Sequence, residues 1–296
     1  MSLDPAKLQK PLRKLRKMLK KLPPKPSPEL VHDLRTRTRR IEAEFQALML
    51  DSRPNEQRLL NDLKPVRRKA GKVRDMDVLT GFASKLRPDG DEQCLVQLLE
   101  HLGFERYGQA RKLLRIVRRD GPALASRLKR TSRYIAKVLD GAKQPQRENE
   151  WPVDAMSLAL QLSGELAKWA PLDKSNLHPF RLKVKELRYI LQLSDHPDAE
   201  FVESLGEVKD AIGEWHDWEE LGGIAEKVLD HGAGCNVMKL IRSTASEKFE
   251  HALAIANRMR HQYLEQRGRD RRTRSKRPQT VLPKEPVVVA ASSLAA

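Results

Sequence analysis

Apolar and small side chains recur at three- and four-residue steps along most of this chain, and no convincing strand-like alternation occurs. Val31, Leu34, Thr38, Ile41 and Phe45 form one such line, and Leu177, Phe180, Val184, Leu187 and Leu191 form another. Each predicts a helix with one face against a core. The same spacing joins Leu8, Leu12, Leu15, Leu19 and Leu22; then Leu60, Leu63, Val66, Ala70 and Val73 within 55–78; then Leu205, Val208, Ile212 and Trp215. Helical patterns also cover about 92–117, 123–139, 153–169 and 236–266, with Asp120, Gly121 and Pro122 predicting a break between the first two. The class is all-α.

The positions between these lines set the boundaries. Pro23, Pro24, Pro26 and Pro28 end the first helix, and Ser27 is a candidate N-cap with Pro28 at the first helical position. Asn176 is a candidate N-cap for the helix that carries His178. The stretch from Asp140 to Pro152 is the best linker candidate, dividing 1–266 into halves of about 1–145 and 151–266. From Arg267 to the last residue, 296, eight basic and two acidic residues occur without periodicity, which predicts a disordered basic tail.

One step around from each buried line, about 100° on a helix of about 3.6 residues per turn, lies a basic one. His32, Arg35 and Arg39 flank the first; His178, Arg181, Lys185 and Arg188 flank the second. The segments VHDLRTRTRRIEAEF and LHPFRLKVKELRYIL align at an offset of 146. A second pair aligns at 142, setting Arg67 over Lys209, Gly71 over Gly213, Arg74 over His216 and Asp75 over Asp217. Two elements repeated in order at nearly one offset read as an internal duplication. Basic stripes at the edge of a packing surface can be walled in by neighbouring helices, and walled-in cations need an anion. Histidines crowded by arginines are expected to titrate low, and phosphate contact to restore their protons.

Charge sharpens this picture. With 57 Lys and Arg against 40 Asp and Glu, the formal charge is +17, of which the tail supplies +6. The partner is therefore expected to be polyanionic. The first helix, with Lys14 and Lys21 in its clean lysine stripe, is read as packing on the domain rather than as a membrane-surface helix. Arg37 and Arg40, spaced to meet Asp33 and Glu44, are read as a solvated face. A subset of Arg111, Arg115, Arg118 and Arg119 is expected to face a groove. Two cysteines without metal-ligand spacing, no secretory apolar segment and no apolar run of about 20 residues predict a reduced, cytoplasmic protein without membrane insertion. Asp75 and Asp77, two apart on a helix, point away from each other and cannot share an ion. No metal-ligand, P-loop or nucleophile motif is present, so neither enzyme chemistry nor a cofactor or metal is expected.

The motif His-x-x-Arg-x-x-x-Arg-Arg at 32–40, its second form at 178–189 and VRDMDVL at 73–79 together resemble the CHAD family, the conserved-histidine α-helical domain, over about residues 5–265. That resemblance implies two four-helix bundles related by a pseudo-two-fold axis around a basic cavity or groove that binds inorganic polyphosphate, and association with polyphosphate granules. The binding residues it implies here are His32, Arg35, Arg39, Arg74, His178, Arg181, Lys185 and Arg188, with Lys14, Lys21, Arg67, Lys209 and His216 beside them. Glu42 stands where the second copy has Arg188, and His216 and Glu219 replace an arginine and an aspartate of the motif, so an asymmetric site is expected. The competing reading is RNA binding; with aromatics at only 5%, its support is limited to Tyr134 and Tyr189 beside basic residues. A phosphohydrolase using His32 or His178 is a third.

Overall fold

A computed structural model describes residues 5–47, 50–141, 155–193, 198–230 and 234–265. These form eight α-helices: α1 (Pro5–Lys20), α2 (Pro28–Ala47), α3 (Pro54–Ala83), α4 (Glu92–Gly141), α5 (Ala155–Ala167), α6 (Leu177–Leu193), α7 (Ala199–Val228) and α8 (Asn236–Met259). A 3-10 turn precedes α3, and one π-helical stretch, Arg260–Glu265, prolongs α8. No strand occurs among the described residues. The expected tail, and most of the expected linker, lie outside them.

The boundaries follow the chemistry of the ends. The Ser27 hydroxyl accepts from the Leu30 amide at 3.3 Å, satisfying one of the free donors of α2, and Pro28 occupies the first turn. At α6 the backbone carbonyl of Asn176 accepts from Phe180, as an N-cap should, but its side chain turns back to the 171–173 loop instead of capping. Asp198 caps α7 through the Phe201 amide.

Two expectations are corrected. The segment from 92 to 141 is a single helix of 50 residues, about 75 Å long, with Pro122 inside it. Buried positions 110, 113, 117, 121, 124, 128, 131 and 135 keep helical register straight through the Gly-Pro pair, following 94, 98 and 102 nearer its start. Burial of that continuous line outweighs the one hydrogen bond that proline removes. Gly121 is a buried contact with α1 rather than a break: a Cβ there would sit at ordinary contact distance, 3.8 Å, from the Leu19 carbonyl. In α3 the core line begins at Leu59, not Leu60, and runs through Leu63, Val66, Ala70 and Val73.

Helices α1 to α4 pack in a ring, α1 on α2 and α4, and α3 on α2 and α4. Helices α5 to α8 pack likewise, the ring closing where the π-helical end of α8 meets α5. The two quartets join through α2 on α6, and through α7 on α3 and α4. One hydrophobic cluster runs from Leu12, Leu34 and Val66 to Phe180, Ile212 and Ala256 and so includes both quartets. A second fills the end where α3, α4, α7 and α8 converge, around Leu79, Leu98, Trp218 and Ile241.

Candidate functional site

The line predicted to be buried on α2 is buried from Val31 to Phe45, and that on α6 from Leu177 to Leu187, beyond which Ile190 is buried in place of the expected Leu191, which is half-buried. That fixes the rotation of both helices, and the contact of α2 with α6 brings their basic flanks together. Arg39 records the result. Its guanidinium is pulled down to about 10, first by burial and then by Arg35, Arg67 and Arg181. Lys185 is lowered further, to about 7, by burial and then by Arg39, Arg181, Arg35 and Lys209. Cations from α2, α3, α6 and α7 therefore share one partly buried volume, and buried Nε atoms of Arg35 and Arg39 have no hydrogen-bond partner.

The cluster is held open by main-chain contacts on α7. Arg181 Nε donates to the Lys209 carbonyl at 2.9 Å, and Arg188 Nε donates to the Val202 carbonyl at 3.3 Å. Each carbonyl lies one turn before a glycine over which the same arginine rests. A Cβ on Gly213 would meet an Arg181 nitrogen at 2.3 Å, and one on Gly206 would meet Arg188 Nε at 3.3 Å. A helical side chain covers the turn before it, so glycine at these positions uncovers the carbonyl for an incoming guanidinium. Arg181 and Arg188 are seven apart, as are Gly206 and Gly213. Arg35 lies over Gly71 on α3 more loosely, at 3.7 Å, and faces Asp75 at 3.9 Å.

The basic flanks of α2 and α6 are not alike. Glu42 forms an ion pair with Arg67, so that cation is partly offset. Lys209 contacts Asp210 in the same way. His32 and His178 are both lowered, mainly by burial; Arg74 then depresses His32, while His216 and Arg181 depress His178. His178 stacks at a tilt on His216, ring centres 4.6 Å apart. His216 moves the other way, raised by its hydrogen bond to Asp217. His32 and Arg74 border a separate open cavity of about 650 Å³ at the start of α2, with Ser27, Glu29, Leu30 and Asp33. Lys14 on α1 and Lys21 just past its end stand exposed, and the cavity between α1 and α4 is lined instead by Arg16 and Lys20.

Asp75 is raised by burial, against the pull of Arg35, while Asp77 is bound by Arg106; the two point apart as expected. His216, Asp217 and Glu220 offer ligand atoms within 4.8 Å of one another, a grouping able to hold an ion; the four-residue spacing of His216 and Glu220 on one helix face was its available signal. The ion pairs of Arg37 with Asp33 and Arg40 with Glu44 form as spaced, at 3.0 and 2.7 Å. Glu44, however, is only 2% exposed, so that end of α2 is not a solvated face, and burial pushes its carboxyl up to about 7. The glycines of α7 were the part missed; their seven-residue spacing opposite two arginines seven apart was the available signal.

The fold and the cluster together define an all-helical, strongly basic protein whose cations from α2 and α6 meet where those two helices pack. Residues 6–226 match the model of the CHAD domain, and the chain belongs to that family. The match ends near the close of α7, short of the 265 expected. No curated protein matches the chain in a sequence comparison. Among the described residues, no helix is long and apolar enough to cross a membrane.

Proposed function

We propose that this protein is a non-catalytic module that binds inorganic polyphosphate at the junction of α2, α3, α6 and α7. The observation that carries the reading is the meeting there of Arg35, Arg39, Arg181 and Lys185, cations that depress one another's proton affinity. Bringing like charges together under partial burial costs free energy in the empty protein, and a linear chain of phosphates returns it. Arginine offers bidentate contacts to phosphate oxygens, and lysine a compact charge. Arg188 and Lys209 extend the row along α6 and α7, His178 and His216 flank it, and His32 with Arg74 marks an approach at the start of α2. The two quartets are read as pseudo-symmetric products of the internal repeat, with the groove between them. A cytoplasmic location, in association with polyphosphate granules, follows from this reading.

Tyr134 gives the RNA reading no open platform at this site. Its ring lies under Arg53, 4.0 Å away, and its hydroxyl accepts from the same guanidinium. Replacing Arg35, Arg39, Arg181 and Lys185 together by glutamine is expected to abolish binding of long-chain polyphosphate while helicity by circular dichroism is kept. Unchanged affinity in that folded variant would refute the reading.

A further inference from the structure

The solvent-facing side of α4 presents a second basic surface. Phe104, Tyr107, Arg111, Arg115 and Arg118 fall within about 80° of one another around the helix, opposite the buried Leu113 and Val117. Phe104 is 74% exposed and Tyr107 54%. Between Arg106 and Arg119 there are six cations and no acid. Among the described residues, Arg106 is paired with Asp77 and Arg119 with Asp120, whereas Arg111, Arg115 and Arg118 have no ion pair.

An ordinary solvated helix face mixes both signs at three- and four-residue steps, because like charges at that spacing weaken the helix. This face keeps the repulsive arrangement and adds two exposed rings in line with it. The Arg111 guanidinium lies 5.7 Å from the Tyr107 ring centre, joining the aromatic part to the basic part. Arg111, Leu114, Arg115, Arg118 and Arg119 line an open groove of about 500 Å³. Leu114 and Arg118 also line the cavity of about 710 Å³ between α1 and α4.

We propose that this face of α4 binds single-stranded nucleic acid, its bases stacking on Phe104 and Tyr107 and its phosphates lying against Arg111, Arg115 and Arg118. Polyphosphate has no ring to place on the aromatics. A bilayer-seated helix sets its apolar and basic residues on opposite sides, whereas here they follow one another along one side. A second copy of the chain would bring its own arginines against these. The stretch from Phe104 to Arg118 spans about 21 Å, the length of about six stacked nucleotides.

The test uses the full chain and a fluorescein-labelled single-stranded oligouridine about 12 nucleotides long, within the usual size range of single-strand sites. Replacing Phe104 and Tyr107 by alanine is expected to weaken oligouridine binding about tenfold per ring and to leave polyphosphate binding unchanged. Replacing Arg111 and Arg115 by glutamine is expected to lower the salt dependence by about 1.4 in logarithmic slope. Wild-type affinity in the aromatic variant overturns the proposal, as does selective loss of binding to phosphatidylglycerol vesicles with oligouridine binding intact. The four-residue variant at the α2–α6 junction tests polyphosphate binding separately, so the two readings can fail independently.

Discussion

On the proposed reading, Lys185 should make polyphosphate binding depend on pH above neutrality. In the empty protein its ammonium is held at about 7 by burial and by Arg35 and Arg39 of α2, Arg181 of α6 and Lys209 of α7. A bound phosphate chain neutralises those neighbours and favours the charged lysine, so above pH 7 binding must take up a proton. If the bound lysine stays charged throughout, the empty-state value implies that the dissociation constant rises about 50-fold from pH 7 to pH 9. His32 and His178, lowered from the ordinary histidine range, titrate below this window, and Arg39, at about 10, titrates above it. Calorimetry at fixed ionic strength, in buffers of unlike ionisation enthalpy, should detect uptake of up to about one proton at pH 8 to 9. Lys185→Arg keeps its charge across the window and should flatten the profile. A flat wild-type profile with intact binding, or the same slope in Lys185→Arg, would refute the argument.

Gly213→Ala, which sets a Cβ 2.3 Å from the Arg181 guanidinium, should displace that arginine and weaken polyphosphate binding at least tenfold. Gly71→Ala, at 3.7 Å, should bind normally and melt slightly higher, by about 0.5–1 kcal/mol of helix propensity; calorimetry and thermal melts compare the two. Glu42→Gln frees Arg67 from its ion pair and should tighten polyphosphate binding several-fold with a steeper salt dependence, measured by anisotropy over a salt series. Glu44, raised to about 7 in the folded chain, contributes stability that is fully present below pH 4.5 and lost as pH rises through 7. Between those limits wild type should lose about 3 kcal/mol relative to Glu44→Gln in denaturant titrations, and parallel curves would exclude a raised carboxyl.

The parts of the molecule written in local spacing were legible in advance. The buried lines of α2 and α7 fell as read, that of α6 did so as far as Leu187, and placing Arg35, Arg39, Arg181 and Lys185 one step beyond them was enough to predict a shared, partly enclosed cluster. What depends on a neighbour was not legible. Gly121 and Pro122 look like a break until α1 is seen crossing at Gly121, where burial of the continuous α4 line outweighs the local cost. Glu44 looks like a surface partner of Arg40, yet it lies at the buried end of α2 beside Phe45. The docking of Arg181 and Arg188 onto uncovered carbonyls requires the pairing of α6 with α7, which neither segment encodes alone.

The hydrophobic cluster that passes from Leu34 and Val66 into Phe180 and Ile212 bears on whether either quartet could exist alone. A self-sufficient bundle would keep a polar skin where its neighbour packs; here the two quartets share one interior. A fragment carrying one quartet alone is therefore expected to expose part of that shared core and to aggregate, and a separately expressed half that stays monomeric and melts cooperatively would refute this.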